Sequence, residues 1–375
     1  MTISSHFDAG AIDVLGTADP REIQLDLRRD NAADFRQWFY FRLQGARGTT
    51  CRLRFVNAGQ SAYPEGWRDY RAVASYDRRH WFRLADTSYD GETLSVVVAP
   101  ERDSIYLAYF EPYSWERHLD LLGRVETVPG VGVVTLGRTV EGRELDLVTI
   151  GEPGDDRSNV WIIARQHPGE TMAQWLVEGF LERLLDPADP VGRRVRELAV
   201  IHVVPNMNPD GAVGGNLRTN AAGANLNREW LAPSMERSPE VLLTRQKMHQ
   251  TGVDLFLDIH GDESLPYVFI DGSSMVPGFT PAQRRAEERF LDALRAASPD
   301  FQTERGYAAN RFSDEMLTLA SKYVAHTFGC VSLTLEMPFK DNANLPDPTH
   351  GWSAARSKRL GAALLQPALA HLQQT

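Results

Sequence analysis

Residues Trp161 to Thr171 read W-I-I-A-R-Q-H-P-G-E-T, an apolar strand that runs into His167 and, three residues later, Glu170. Imidazole nitrogen and carboxylate oxygen are donors that zinc accepts, and a catalytic zinc takes three protein ligands while keeping one position open. Pro168 and Gly169 predict a tight turn that holds His167 and Glu170 on one side of the strand end. A His and a Glu three apart are common by themselves, and here the context decides. Met172, Trp175, Leu176, Phe180 and Leu184 follow at helical spacing, so the pair sits between a strand and a helix. A third ligand is expected at the end of another buried strand, where the side chains of an α/β sheet converge. Val253 to His260, V-D-L-F-L-D-I-H, offers such a strand and closes it with His260.

Around this centre the chain alternates strand and helix. Val131–Leu136 and Leu145–Ile150 read as a hairpin, Val160–Arg165 as a strand, and the stretch to Leu185 as a helix. Then come a strand at Ala199–Val204, a long polar loop, a helix through Val241 to Met248 and the strand that ends in His260. A helical stretch around Asp314 to Ala325 precedes a strand at Cys330–Leu335, and Ser353 to Leu372 is an Ala/Leu-rich helix. This rhythm predicts an α/β domain whose mixed central sheet is flanked by helices. The first third differs. Ile23, Leu25 and Leu27, then Trp38–Leu43, Cys51, Leu53 and Phe55, Leu94, Val96 and Val98, and Ile105–Phe110 alternate or run apolar between turn formers. They predict an N-terminal antiparallel β-sandwich. The expected division is residues 1–115 for the sandwich and 116–375 for the α/β domain, joined through a short helix at S-W-E-R-H-L-D-L-L.

A chain of 375 residues with 42% hydrophobic and 24% charged residues is an ordinary globular sequence, long enough for two domains. Its net charge of −10 argues against a general nucleic-acid binder. Cys51 and Cys330 lie in strand-like segments and read as buried thiols. With no apolar stretch of membrane-spanning length and no signal-like N-terminus, the expectation is a cytoplasmic protein without a membrane partner. Oligomeric state leaves no trace in the sequence.

Three further stretches carry chemistry. The loop Asn206 to Asn220, N-M-N-P-D-G-A-V-G-G-N-L-R-T-N, leaves a buried strand and holds one strong cation, Arg218. In A-N-L-N-R-E-W, Asn227 and Arg228 set an amide beside a planar guanidinium, a pair suited to a carboxylate, although either arginine alone reads equally well as a solvated residue. Glu336 ends the apolar strand S-L-T-L-E. A carboxylate there is an ion-pair partner, a metal ligand or a general base. His202, inside I-H-V-V-P, reads as core, and the other histidines have no second ligand at useful spacing.

The ordered set H-P-G-E, N-M-N-P-D-G, G-N-L-R, N-R, D-I-H-G and T-L-E resembles the zinc metallocarboxypeptidases, and specifically their cytosolic carboxypeptidase branch. F-D-A-G at Phe7–Gly10 and Q-W-F-Y-F-R at Gln37–Arg42 are similar to the signature of that branch's N-terminal sandwich. The resemblance implies one zinc ion held by His167, Glu170 and His260, with Glu336 as general base and Arg218 polarising the scissile carbonyl. It implies that Asn227 and Arg228 bind the free C-terminal carboxylate of a peptide or protein tail. Many members carry an Asp two residues before the Asn-Arg pair, orienting a zinc-ligating His; here Asn225 stands there and brings no charge. The tyrosine that closes over substrate could be Tyr307 or Tyr323. The branch is associated with removing acidic residues, often Glu, from acidic C-terminal tails or, through an isopeptide bond, from side-chain branches; Arg311 and Lys340 could supply charge for this, though each reads more readily as a surface cation. Two other functions fit less well: a zinc amidohydrolase acting on N-acyl amino acids, and a non-catalytic binding protein, which would have no need of Glu336.

Overall fold

In the computed structural model, which describes residues 1–154, 156–308 and 310–374, alternation of buried and exposed side chains builds the N-terminal strands. These are β1 (Thr2–Ser4), β2 (Asp13–Gly16), β3 (Ile23–Asp26), β4 (Tyr40–Gln44), β5 (Cys51–Phe55), β6 (Val73–Ser75), β7 (Trp81–Arg83), β8 (Thr87–Tyr89), β9 (Leu94–Val98) and β10 (Ser104–Ala108). They form two five-stranded sheets, ordered β1-β4-β10-β6-β7 and β2-β3-β5-β9-β8. In β5, Cys51, Leu53 and Phe55 point inward while Arg52 is exposed, the pattern of a sheet with one wet face. Rings fill the space between: Phe39 and Phe55 lie 4.7 Å apart. One pairing departs from the antiparallel expectation. β3 and β5 are parallel, because the intervening chain crosses to the other sheet as β4 and returns in the starting direction.

The α/β part follows as α1 (Trp115–Glu126), β11 (Val131–Arg138), β12 (Glu144–Ile150), β13 (Ser158–Ala164), α2 (Thr171–Leu184), α3 (Pro190–Leu198), β14 (Ala199–Val204), α4 (Pro209–Gly214) and α5 (Pro239–Thr251). It continues with β15 (Leu255–Asp262), β16 (Phe269–Asp271), α6 (Pro281–Ala297), α7 (Ala320–Phe328), β17 (Val331–Pro338), α8 (Ala354–Ala363) and α9 (Leu365–Leu372). The central sheet has the order β11-β12-β14-β13-β15-β17-β16. β14, β13, β15 and β17 run parallel, β12 and β16 pair antiparallel with the two ends of this block, and β11 pairs antiparallel with β12, so the sheet is mixed. β14, β15 and β17 are buried along their whole length because helices cover both faces. On one face Ile162, Leu257 and Leu333 join a core with Leu176 and Phe180 of α2 and Leu360 of α8. On the other, Trp161, Ile163 and Phe256 meet Val241 and Met248 of α5 and Val324 of α7.

In the α/β part four elements stand where none was expected: α3, α4, which forms inside the stretch read as a polar loop, β16 and the 17-residue α6. The expected helix over 314–325 is in fact a short 3-10 turn at Met316–Thr318 followed by α7. The C-terminal helix divides at Leu364 into α8 and α9. Among the described residues, no helix is long and apolar enough to cross a membrane.

The two parts share one core. Tyr109 stacks on Phe339 at a centroid distance of 4.5 Å. Arg83, buried, donates to the carbonyls of Arg71, Phe339, His350 and Trp352, tying the N-terminal sheets to the chain just beyond β17.

Candidate active site

The site lies at the C-terminal ends of β13, β15 and β17, where neighbouring parallel strands deliver their last side chains to one crevice. After Ala164 the chain turns abruptly. Arg165 adopts a positive φ of 61°, an uncommon conformation for a residue with a side chain. Its buried guanidinium holds the turn by donating to the Pro168 carbonyl at 3.0 Å, the Tyr113 carbonyl at 2.9 Å and Gln174 Oε1 at 2.7 Å. The Glu170 N–H donates to the His167 carbonyl at 3.1 Å, closing the tight turn expected of Pro168-Gly169, and α2 starts at the next residue.

This turn and the end of β15 bring His167, Glu170 and His260 together, all buried, with one ligand atom from each within 4.8 Å of the others. His167 Nδ1 is 2.7 Å from Glu170 Oε1, His260 Nδ1 is 2.8 Å from Glu170 Oε2, and the two Nδ1 atoms are 3.1 Å apart. The far nitrogens face acceptors: His167 Nε2 lies 3.0 Å from Asn225 Oδ1 and His260 Nε2 lies 2.9 Å from Asp258 Oδ1. With both rings neutral and their protons on Nε2, facing these acceptors, two lone pairs and a carboxylate would point at one another, an arrangement that calls for a cation between them. The donor set and its orientation fit zinc. The same field shows in protonation: burial pushes His167 down to about 3, with Arg218 adding to the effect. Burial also opposes charge on His260, yet Asp258 and Glu170 outweigh it and hold that ring well above its ordinary value.

Glu336 is the register partner of His260 on β17. Its Oε1 accepts from the Tyr307 hydroxyl at 3.3 Å, and its buried Oε2 has no hydrogen-bond partner among the described residues. Burial pushes this carboxyl well above the usual range, with His260 opposing. Arg218 places Nη1 3.7 Å from Glu170 Oε1. Asn227 and Arg228 sit in a 3-10 turn at Leu226–Arg228. The Asn227 side chain accepts from the Ala320 N–H at 2.9 Å, and Arg228 pairs with Glu315 at 3.0 Å. These residues line one cavity of about 240 Å³, together with Tyr63, Asp262, Glu263, Asp271, Tyr307, Arg311, Phe312 and Thr334.

Of the two tyrosines left open by the sequence, Tyr307 is in the cavity, donating to Asp262 Oδ2 at 2.6 Å. Tyr323 lies outside it, against Arg245 and Trp230. Arg311 lines the cavity, its guanidinium 3.9 Å from the centre of the Tyr307 ring. Lys340 corrects an expectation: it is neither a surface cation nor a cavity residue but is buried, donating to the Arg68 carbonyl at 2.7 Å. Sequence reasoning passed over Asp258, although D-I-H puts it two residues before His260 and hence on the same face of the strand. It also passed over Gln166, which donates to both Asp258 oxygens and accepts from Trp230 Nε1. Tyr63 carried no signal, since its place in the cavity depends on how the sandwich docks.

A zinc-type His/Glu/His cluster at the strand ends of a mixed sheet defines a metallohydrolase, and comparison with known proteins agrees. The family profile "Zinc carboxypeptidase" matches residues 124–354, and that of the "Cytosolic carboxypeptidase N-terminal domain" matches residues 3–110. The metallo-carboxypeptidase of Burkholderia cenocepacia is 58% identical, with a TM-score of 0.97 over 100% of this chain and 99% of that one. An uncharacterized protein of Zymomonas mobilis is 47% identical over 96% of this chain and 94% of its own. Cytosolic carboxypeptidase 4 of Mus musculus is 29% identical over 68% of this chain, which spans 27% of that longer protein. The chain belongs to the zinc carboxypeptidase family. It is a metallocarboxypeptidase that carries, ahead of its catalytic part, the N-terminal domain of the cytosolic branch.

Proposed function

We propose that the protein removes the C-terminal residue of peptides or protein tails, with a preference for an acidic residue such as Glu. The observation that carries this is Glu336: a buried carboxylate with one oxygen that has no hydrogen-bond partner among the described residues, beside the His/Glu/His cluster and in the same cavity as three arginines.

His167, Glu170 and His260 would hold one zinc ion, with Asn225 and Asp258 fixing the two rings from behind. Bound zinc supplies a Lewis acid and lowers the pKa of a water molecule. Glu336, made more basic by burial, takes the proton of the attacking water and returns it to the leaving amine. Arg218 bears the developing oxyanion of the carbonyl. Asn227 and Arg228 grip the C-terminal carboxylate, and this anchor makes the reaction an exopeptidase step. Tyr307, which lines the cavity and donates to Asp262, is the tyrosine that closes over the bound end. Arg311 is the cavity cation available to an acidic side chain; burial lifts Glu263 to about 8 against the pull of Arg218, which weakens the opposing negative field. We take residues 1–115 and 116–375 as the two domains, since the ten N-terminal strands end at Ala108. The cytosolic relatives support a cytoplasmic location.

The test is elemental analysis of the purified wild type and of His167→Ala, with turnover of matched peptides ending in Glu, Leu and Lys. Stoichiometric zinc and peptide turnover, both lost in the variant, are expected. Equal rates on the three peptides would end the acidic preference. Turnover of N-acyl amino acids in place of peptides would move the protein to the amidohydrolases, and absence of zinc after repletion would remove the basis of the site.

A further inference from the structure

Arg218 lies in an irregular loop, where no helix or sheet ladder fixes its backbone; Gly169 N–H and the Asn216 amide hold the Leu217 and Thr219 carbonyls from within the α/β part, and the loop's own N–H groups at 217–219 are held from the N-terminal part. Asp30, only 6% exposed, accepts from three successive loop amides: Leu217 N at 2.6 Å, Arg218 N at 2.7 Å and Thr219 N at 2.9 Å. It also accepts from the Thr219 hydroxyl at 3.1 Å. The contacts on either side of it match. Arg28 donates to the Gly214 carbonyl at 2.5 Å, and the Asn31 N–H donates to Asn216 Oδ1 at 3.2 Å. The Arg218 guanidinium in turn lies 5.2 Å from the ring centre of Tyr63, which lines the cavity. Tyr63 is itself clamped: its N–H donates to Gln37 Oε1 at 2.9 Å, and Gln37 Nε2 donates to its carbonyl at 3.0 Å.

We propose that the N-terminal domain is part of the catalytic apparatus, with Asp30 and Tyr63 as positioning residues that hold Arg218 where the oxyanion forms. The proposal rests on the role assigned above to Arg218. A donor serves a transition state only if it is already in place when charge develops, and a displacement of about 1 Å can cost on the order of 100-fold in rate. Asp30 sets the backbone from which the side chain springs. Tyr63 sets the far end, because its face attracts the guanidinium and confines it to one side of the cavity. Neither residue touches the bond that breaks.

The experiment uses the full chain and compares Asp30→Asn, Tyr63→Leu, Tyr63→Phe, Arg218→Ala and the Asp30→Asn/Arg218→Ala double variant. It measures kcat, KM, zinc content, melting temperature and hydrogen exchange at the 217–219 amides. Arg218→Ala is expected to lower kcat by roughly 100- to 1000-fold. Asp30→Asn is expected to lower kcat by about 10-fold or more, with KM within about 2-fold, zinc retained and exchange at 217–219 accelerated. Tyr63→Leu should lower kcat, and Tyr63→Phe, which keeps the ring, should restore it. In the Arg218→Ala background, Asp30→Asn should have almost no further effect on kcat, since it acts through the missing side chain. Additive losses in the double variant would overturn the proposal, as would faster exchange at 217–219 with unchanged kcat. If Asp30→Asn does not fold, an unaltered kcat in Tyr63→Leu overturns it just as well. An unchanged kcat in Arg218→Ala would instead overturn the role given to Arg218, and a wild type inactive on every peptide would overturn the functional reading; each takes the proposal with it.

Discussion

Arg228 is the residue whose removal should show most directly what the cavity binds. It is paired with Glu315 and lies 5.3 Å from the centre of the Phe312 ring, so its guanidinium is pre-oriented toward the cavity beside Asn227. Loss of a charge-assisted contact of this kind costs about 2 to 3 kcal/mol. Arg228→Ala should therefore raise KM for peptides with a free C-terminus by roughly 30- to 150-fold. The variant should also lose most of the wild type's discrimination against amidated ends, which steady-state kinetics on paired peptides would reveal. Glu240 gives a residue-scale prediction in stability. Burial lifts its carboxyl from 4.5 to about 7, while the Asn220 amide, donating at 3.1 Å, opposes the shift. A raised carboxyl means that the folded state binds the proton more tightly than the unfolded state. Its stabilising contribution is full below about pH 4.5 and is lost as pH rises to about 7, a span worth about 3 kcal/mol. Glu240→Gln keeps an acceptor for Asn220 and removes the titration. Its melting temperature relative to wild type should be higher at pH 8 than at pH 5; an equal difference at both would show that Glu240 does not titrate in this way.

Among the elements, α2 and α8 pack backbone against backbone. A Cβ on Gly179 would lie 2.1 Å from the Lys358 carbonyl oxygen, and one on Gly361 would lie 1.9 Å from that of Leu176. The two backbones meet through glycines, and this contact seats α2 behind the turn that carries Glu170. Gly361→Ala should force the helices apart at a cost of about 1 to 3 kcal/mol. A chemical denaturation curve should record that loss, and no change would mean that α8 shifts freely. Elements also differed in how readable they were. The inner strands β13, β14, β15 and β17 announced themselves as apolar runs because both of their faces are covered. α6 was passed over, although T-P-A-Q at Thr280–Gln283 is a capping box and the structure has both of its reciprocal bonds. Arg284, Arg285, Glu287 and Glu288 dilute the apolar stripe of that helix, and only Phe290 and Leu294 are buried. β16 has three residues and is a strand only because β17 lies alongside it.

At the scale of the whole molecule, the N-terminal sheets and the α/β part are tied together by shared packing and hydrogen bonds. Arg83 satisfies three carbonyls of the α/β part, Tyr109 packs on Phe339, and Asp30 caps the loop of Arg218. Residues 116–375 produced alone would expose the apolar surface around Phe339 and leave those carbonyls and amides without partners. The expected outcome is an aggregated or partly unfolded product, measured by solubility and circular dichroism. A soluble, folded and fully active fragment would refute this view of the interface. The net charge of −10 acts at the same scale. It repels acidic tails at long range, so their kcat/KM should not fall as ionic strength rises.

The sequence by itself determined the ligand chemistry, the tight turn at Pro168-Gly169, the mixed α/β rhythm and the order of the chemical groups along the chain. These are local properties, readable from residue type and spacing within a few positions. Only the tertiary structure decided what those groups meet. It brought Tyr307 into the cavity and left Tyr323 outside, buried Lys340 against Arg68, and set Asn225 and Asp258 behind the two histidines. It also placed Asp30 on the Arg218 amide across 188 residues of chain. The reason is physical: a contact over that separation is selected by the packing of whole sheets and helices, and neither partner carries a local mark of the other.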